Sequence, residues 1–292
     1  MEKEFEKKFA ASLSIASNGL IIVFKLIVGI ISGSISIISE AVHSISDFLA
    51  SILTCFAVVR SSRPADKDHP FGHGRYEDVA GFIEGILIVL ASFYIVFESY
   101  KKIISNSTEN FDSTLGIFVM AFAIVANLIV SSYLSYVAKK TDSVALKADS
   151  KHLSTDIYSS LGVLIGLVLI KITGIALLDP LIAIFVALII LKTGMSITKE
   201  SLNNLVDGTL PDEDVKIIKN ILDTTDDIIG YKNFKSRKTG PNRDIDITLI
   251  CDGDISLRKC HKICDIIEDK IKTAFPNTLI TIHCEPETGA EK

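Results

Sequence analysis

The sequence has little of what marks a nucleic-acid binder, a disulfide-stapled domain or a linker. Its 30 Lys and Arg are set against 35 Asp and Glu, for a net charge of −5. No basic patch gathers in any segment, which removes nucleic acid from the candidate partners. There is no low-complexity tract. Of 292 residues only five are cysteine: Cys55 in an apolar run, then Cys251, Cys260, Cys264 and Cys284 near the C-terminus. That region is expected to face a reducing cytoplasm, so disulfides are excluded and free, buried thiols are expected. Histidine is scarcer than its weight in the chemistry suggests, at six.

What is abundant is apolar sequence. Hydrophobic residues make up 48% of the chain, and the mean hydropathy is +0.42, high for a soluble domain. They concentrate in runs of the length an α-helix needs to cross a bilayer, at roughly residues 9–31, 35–59, 79–100, 115–137, 153–172 and 180–197. The first is read as a span and not a cleaved signal, since it reaches full length, carries Lys25 and lacks a small-residue cleavage site. Lys and Arg crowd one set of connections: Lys3, Lys7 and Lys8; Arg60, Arg63, Lys67 and Arg75; Lys139, Lys140 and Lys147. The positive-inside rule then places both termini in the cytoplasm.

At Asp207 the composition changes. LVDGTLPDEDV carries the helix breakers Gly208 and Pro211, then acids suited to a helix first turn. The chain is therefore divided into residues 1–206, a six-helix transmembrane domain, and residues 207–292, a small soluble domain. In the second, helix, strand, strand, amphipathic helix and strand follow in turn. The alternation of Ile245, Ile247 and Leu249 with Asp246 and Thr248 marks a half-buried strand. The order αββαβ predicts a two-layer, ferredoxin-like α+β fold.

The spans contain residues that lipid disfavours. SEAVHSISD holds Glu40, His43 and Asp47; ADSKHLSTD repeats the pattern with Asp149, His152 and Asp156. In each, His and Asp are four apart and share one helix face. The two helices are three spans apart and so cross in opposite directions, as in an inverted repeat. Packed together they offer two imidazoles and two carboxylates near mid-membrane, a tetrahedral set that Zn2+ accepts. Unpartnered charge there is costly, which is why such residues mark ion or proton pathways. Two unrelated packing histidines are the plain alternative; the repetition of the pair favours the metal. Glu40 and Asp149 lie one turn away on the same faces, placed to orient a ligand, carry protons or face water.

Between the second and third spans, RPADKDHPFGHGRYED sets Asp66, His69 and His73 at D-x-x-H-x-x-x-H, either a three-ligand metal set or a solvated loop. Near the C-terminus, His261 lies on the amphipathic helix. His283 and Glu285, two apart on the last strand, point the same way.

These residues resemble the cation diffusion facilitator (CDF) family of divalent-metal/proton antiporters over nearly the whole chain, most specifically in HSISD, HPFGHGRYE, ADSKHLSTD, LVDGTLPDE and IHCEP. The resemblance implies a homodimer with six transmembrane helices and a cytoplasmic ferredoxin-like domain. It assigns His43, Asp47, His152 and Asp156 to the transport site, in the zinc-type pattern, and Asp66, His69 and His73 to a loop site. His261, His283 and Glu285 match part of a binuclear cytoplasmic site, of which two further histidines are replaced here by Lys232 and Thr248. Arg75 and Asp207 match a charge pair that links the membrane part to the soluble domain.

The expected function is export of a divalent cation, with Zn2+ as cargo and Fe2+, Mn2+, Co2+ or Cd2+ as alternatives, in exchange for protons across the cell membrane. An intramembrane zinc metalloenzyme is the rival from another class. It is disfavoured because four ligands leave no open position and H-E-x-x-H is absent. A membrane-anchored metal sensor is a further rival, disfavoured because the best ligand set lies in the membrane.

Overall fold

The computed structural model describes residues 2–32, 35–105, 114–173 and 178–287. The chain divides into two units, Met1–Leu202 and Asn203–Lys292.

Among the described residues, long helices build the first unit: α1 (Glu2–Ser32), α2 (Ile35–Ser61), α3 (Arg75–Ser105), α4 (Thr114–Thr141), α5 (Val144–Thr173) and α6 (Leu178–Leu205). Each outruns the apolar stretch that announced it, because hydropathy reports only where apolar side chains lie, while the backbone ladder runs on until something breaks it. Between α4 and α5 only Asp142 and Ser143 lie outside the helices. Asp142 takes a φ of 58°, and Ser143 Oγ accepts the Leu146 N–H at 3.3 Å, capping α5. At the other end α1 opens at Glu2, so Lys3, Lys7 and Lys8 sit on a helix.

α1 packs on α2 and α4, and α5 packs on α4, α3 and α2. Their shared core is rich in small residues, among them Ala10, Ala11, Ala57, Ala80 and Ala145, which let helices approach closely. Where α3 meets α6 the approach is closer still. Gly81 lies against Ser201, Gly85 against Thr198, and Gly194 against Ile88 and Val89. Large apolar side chains such as Leu20, Val23, Phe93, Phe97, Leu128 and Ile129 point outward. Among the described residues, Lys3–Val28, Arg75–Lys101 and Ala121–Thr141 are long and apolar enough to cross a membrane.

The second unit contains α7 (Asp212–Asp223), β1 (Gly230–Thr239), β2 (Asn242–Cys251), α8 (Leu257–Ala274) and β3 (Thr278–Pro286). The strand order is β1-β2-β3. A tight turn with Gly240 at φ 58° joins the antiparallel pair β1–β2. The parallel pair β2–β3 needs a crossover, which α8 supplies. Ser256 caps the start of α8, its Oγ accepting the Lys259 N–H. Ile245, Ile247 and Leu249 of β2 join Ile218 and Leu222 of α7 and Ile263, Ile267 and Ile271 of α8 in one core.

Candidate metal sites

His43 and Asp47 stand on α2, His152 and Asp156 on α5, and the two helices pack against each other. The side chains of Glu40, His43 and Asp47 lie outside the described residues, so the α2 half of the set has no described geometry. On α5, Asp149 and His152 are buried and Asp156 is half-buried. Thr155 Oγ1 donates to the His152 carbonyl at 2.6 Å, keeping the hydroxyl on its own helix. Across from them, Glu84 of α3 is fully buried. It accepts a hydrogen bond from Thr54 Oγ1 of α2 and interacts electrostatically with Asp149 and His152. The polar side of α5 therefore faces a further carboxylate as well as α2.

Three other polar contacts tie α1 to α2. Ser51 Oγ lies 3.1 Å from Ser14 Oγ and accepts from Asn18 Nδ2 at 2.5 Å. Lys25 Nζ donates to Ser44 Oγ at 2.8 Å. At the end of the unit that carries the 62–74 loop, Glu77 accepts from Lys7 Nζ at 2.5 Å, Ser61 Oγ at 2.7 Å and Ser143 Oγ at 2.5 Å. That one carboxylate joins α1, α2 and the α4–α5 turn to the first turn of α3.

The loop residues Asp66, His69 and His73 converge, with their ligand atoms all within 4.8 Å of one another. His69 Nδ1 is 3.3 Å from Asp66 Oδ1, and His73 Nε2 is 3.4 Å from Asp66 Oδ2. For Zn–N and Zn–O bonds of about 2.0–2.1 Å, the edge of a regular tetrahedron is about 3.3–3.4 Å, so the donor spacing suits one small cation. Local chain geometry sets it. Asp66 Oδ1 accepts the N–H groups of Asp68 and His69, and Gly72, at φ 84°, lets the chain turn back and bond the His69 carbonyl at 3.0 Å. The His69 N–H first, and then the His69 and His73 rings, hold the Asp66 carboxyl below its usual range, a ready anion for a cation. His73 is 2% exposed, and neither of its ring nitrogens has a hydrogen-bond partner among the described residues. The 3.4 Å approach to Asp66 is a charge contact too long and misaligned to count as one. A buried imidazole in that condition fits a metal ligand.

The trio of the second unit is different. His261 projects from α8 into solvent, 3.9 Å from Asp265. His283 Nε2 is 3.7 Å from Glu285 Oε1. Glu285 Oε2 is engaged at 2.6 Å by Lys232 Nζ, which holds its carboxyl below the ordinary range. Among the described residues His261 is not gathered with His283 and Glu285 into a ligand group. In the strand register Lys232, Thr248 and His283 form one row, so a lysine and a threonine stand beside the histidine. Arg75 opens α3. Asp207, at φ 60°, pairs with Arg237 at 3.3 Å.

Two features escaped the sequence reading. Lys7, counted there among the loop cations, is 1% exposed against Glu77; a buried charge is set by a partner 70 residues away, which no local pattern reveals. The cysteines are free thiols as expected, but Cys251, Cys260 and Cys284 come together, offering sulfurs within 4.8 Å of one another. The i,i+4 spacing of Cys260 and Cys264 on the amphipathic helix was the available signal.

Two family models cover this chain: the cation efflux transmembrane domain over residues 11–206, and the cation efflux protein cytoplasmic domain over residues 210–287. An uncharacterized transporter of Synechocystis is 31% identical over 257 residues, covering 88% of this chain and 83% of its own. The cation-efflux pump FieF of Serratia proteamaculans is 27% identical over 288 residues, covering 98% and 95%. Protein p34 of Rickettsia prowazekii is 31% identical over 280 residues, covering 96% and 92%.

Proposed function

This chain belongs to the cation diffusion facilitator family of cation efflux transporters, and from that premise we propose that it exports Zn2+ from the cytoplasm in exchange for protons. It is a multi-pass membrane transporter and not an enzyme. The observation that carries the zinc reading is the His-x-x-x-Asp pair repeated on α2 and α5, two helices that pack together.

In the proposed cycle, His43, Asp47, His152 and Asp156 hold the ion in a tetrahedral set, which requires neutral imidazoles and ionised carboxylates. Metal and protons therefore compete for the same groups. When the helices rock and open the site to the other side, protonation displaces the ion. Buried Asp149, with Glu84 beside it, lies on the cytoplasmic side of His152, and Glu40 lies one turn to the outer side of His43, so protons or water would pass them on the way to and from the site. Asp66, His69 and His73 hold a second ion in the loop between the second and third of six spans. Both termini face the cytoplasm of the cell membrane. The ferredoxin-like domain pairs two copies, a reading supported by the match of residues 210–287 to the family's cytoplasmic domain. His261, His283 and Glu285 bind there weakly at most, since Lys232 already occupies the carboxylate.

Purified protein in liposomes with an imposed pH gradient tests this, with Zn2+, Fe2+, Mn2+, Co2+ and Cd2+ offered one at a time. Zn2+ is expected to be the preferred cargo. Asp47→Ala or Asp156→Ala should abolish its movement while the dimer persists on size exclusion. Transport that ignores both substitutions would reject the site, and a stronger response to another metal would reassign the cargo.

A further inference from the structure

The second unit carries four of the five cysteines, and they meet in one place. Cys251 ends β2, and Cys284 lies on β3 opposite Leu249 in the parallel register. The two thus sit diagonally on adjacent strands with their side chains on the face that α8 covers. Cys260 and Cys264, one turn apart on α8, come down onto that face. The sulfurs of Cys251, Cys260 and Cys284 all lie within 4.8 Å of one another, and Cys264 Sγ is 3.4 Å from Cys284 Sγ. Around a zinc ion with Zn–S bonds of about 2.3 Å, tetrahedral sulfurs stand about 3.8 Å apart. Small adjustments would therefore centre a cation among them.

We propose that Cys251, Cys260 and Cys284, with Cys264 beside them as a fourth thiol, form a thiolate site for a soft d10 cation of the Zn2+ or Cd2+ type inside the second unit. The site goes beyond the export reading and shares no residue with it. His283 and Glu285 flank Cys284 on the strand but point to the opposite, solvent face, so the cysteine set is distinct from the histidine–glutamate set. Soft thiolates select Zn2+, Cd2+ or Cu+ over the harder cations that oxygen ligands accept. Burial pushes the thiols of Cys251, Cys264 and Cys284 up, so without metal those three are neutral packing groups. Binding a cation replaces those protons and ties β2, α8 and β3 together from within the core.

Cd2+ is the probe, because cadmium–thiolate bonds absorb in the ultraviolet by ligand-to-metal charge transfer and histidine or carboxylate sites do not. Full-length protein in detergent, kept reduced with a phosphine, is titrated with Cd2+. The expected result is a thiolate band that saturates at one Cd2+ per chain and persists in Cys55→Ala. The band should also persist in His43→Ala/Asp47→Ala, so a failed transport site and a failed thiolate site are told apart. It should vanish in Cys251→Ala/Cys260→Ala/Cys284→Ala. No band in the wild type, or an equal band in the triple variant, overturns the proposal. Should the triple variant not fold, alkylation of the wild type decides. Bound Zn2+ should slow modification of Cys251, Cys260 and Cys284 about tenfold or more, since a coordinated thiolate cannot attack, and unchanged rates reject the site.

Discussion

Glu77 shows how much one side chain can organise here. Its carboxylate is fully buried, receives three side-chain hydrogen bonds and faces a buried ammonium. Removing it strands the Lys7 charge, a loss of about 3–5 kcal/mol for a buried pair. Glu77→Ala should therefore lower the melting temperature in detergent sharply. Lys140→Ala, which breaks the more exposed contact with Glu6, should shift it little, since such pairs contribute under about 1 kcal/mol. Equal shifts would contradict the assignment. Glu285 makes the complementary case at the surface. Lys232 depresses its pKa, so the pair favours the folded state above the unfolded-state value and loses that effect as pH falls through the lower folded one. In Lys232→Met the carboxyl should titrate near its ordinary 4.5, as read by NMR; an unmoved titration would show that Lys232 is not the cause. Pairs spaced i,i+4, such as His152 and Asp156, are legible from sequence because the helix itself creates the proximity. Lys7–Glu77 and Lys232–Glu285 are not, because the fold creates theirs.

At the scale of elements, the helices follow the apolar runs, and the differences fall at their ends. Polar turns such as Glu2–Lys8 and Lys139–Thr141 remain helical because the backbone ladder continues past the apolar face. The α3–α6 contact was hidden in GFIEG, whose two glycines give no hydropathy signal. A Cβ on Gly85 would stand 2.7 Å from the Thr198 backbone nitrogen, whereas one on Gly19 would make an ordinary 3.5 Å contact with Phe48. Alanine normally favours a helix over glycine by about 0.5–1 kcal/mol. Gly19→Ala should thus be neutral or stabilising, while Gly85→Ala should destabilise by about 1–3 kcal/mol through overpacking. Thermal unfolding of the two variants gives the signs, and a stabilised Gly85→Ala would contradict the close approach.

For the whole molecule, composition put the division after residue 206, and the two units part at Leu202 and Asn203, within the last turn of α6. Residues 203–292 have their own continuous core and should fold alone with one cooperative transition on circular dichroism. A molten profile would show that the core needs the first unit. The tally of apolar runs, the αββαβ order and the paired His–Asp motifs were readable because each depends on local period. The gathered cysteines and the Glu84–Asp149 approach needed the packed chain. The most direct measurement of the central claim is proton movement driven by Zn2+ in liposomes carrying a trapped pH dye. Zn2+ added to the wild type should drive protons in the opposite direction, and Asp47→Ala/Asp156→Ala should show none. Zinc-driven proton flux that survives both substitutions would contradict an exchange site built from α2 and α5.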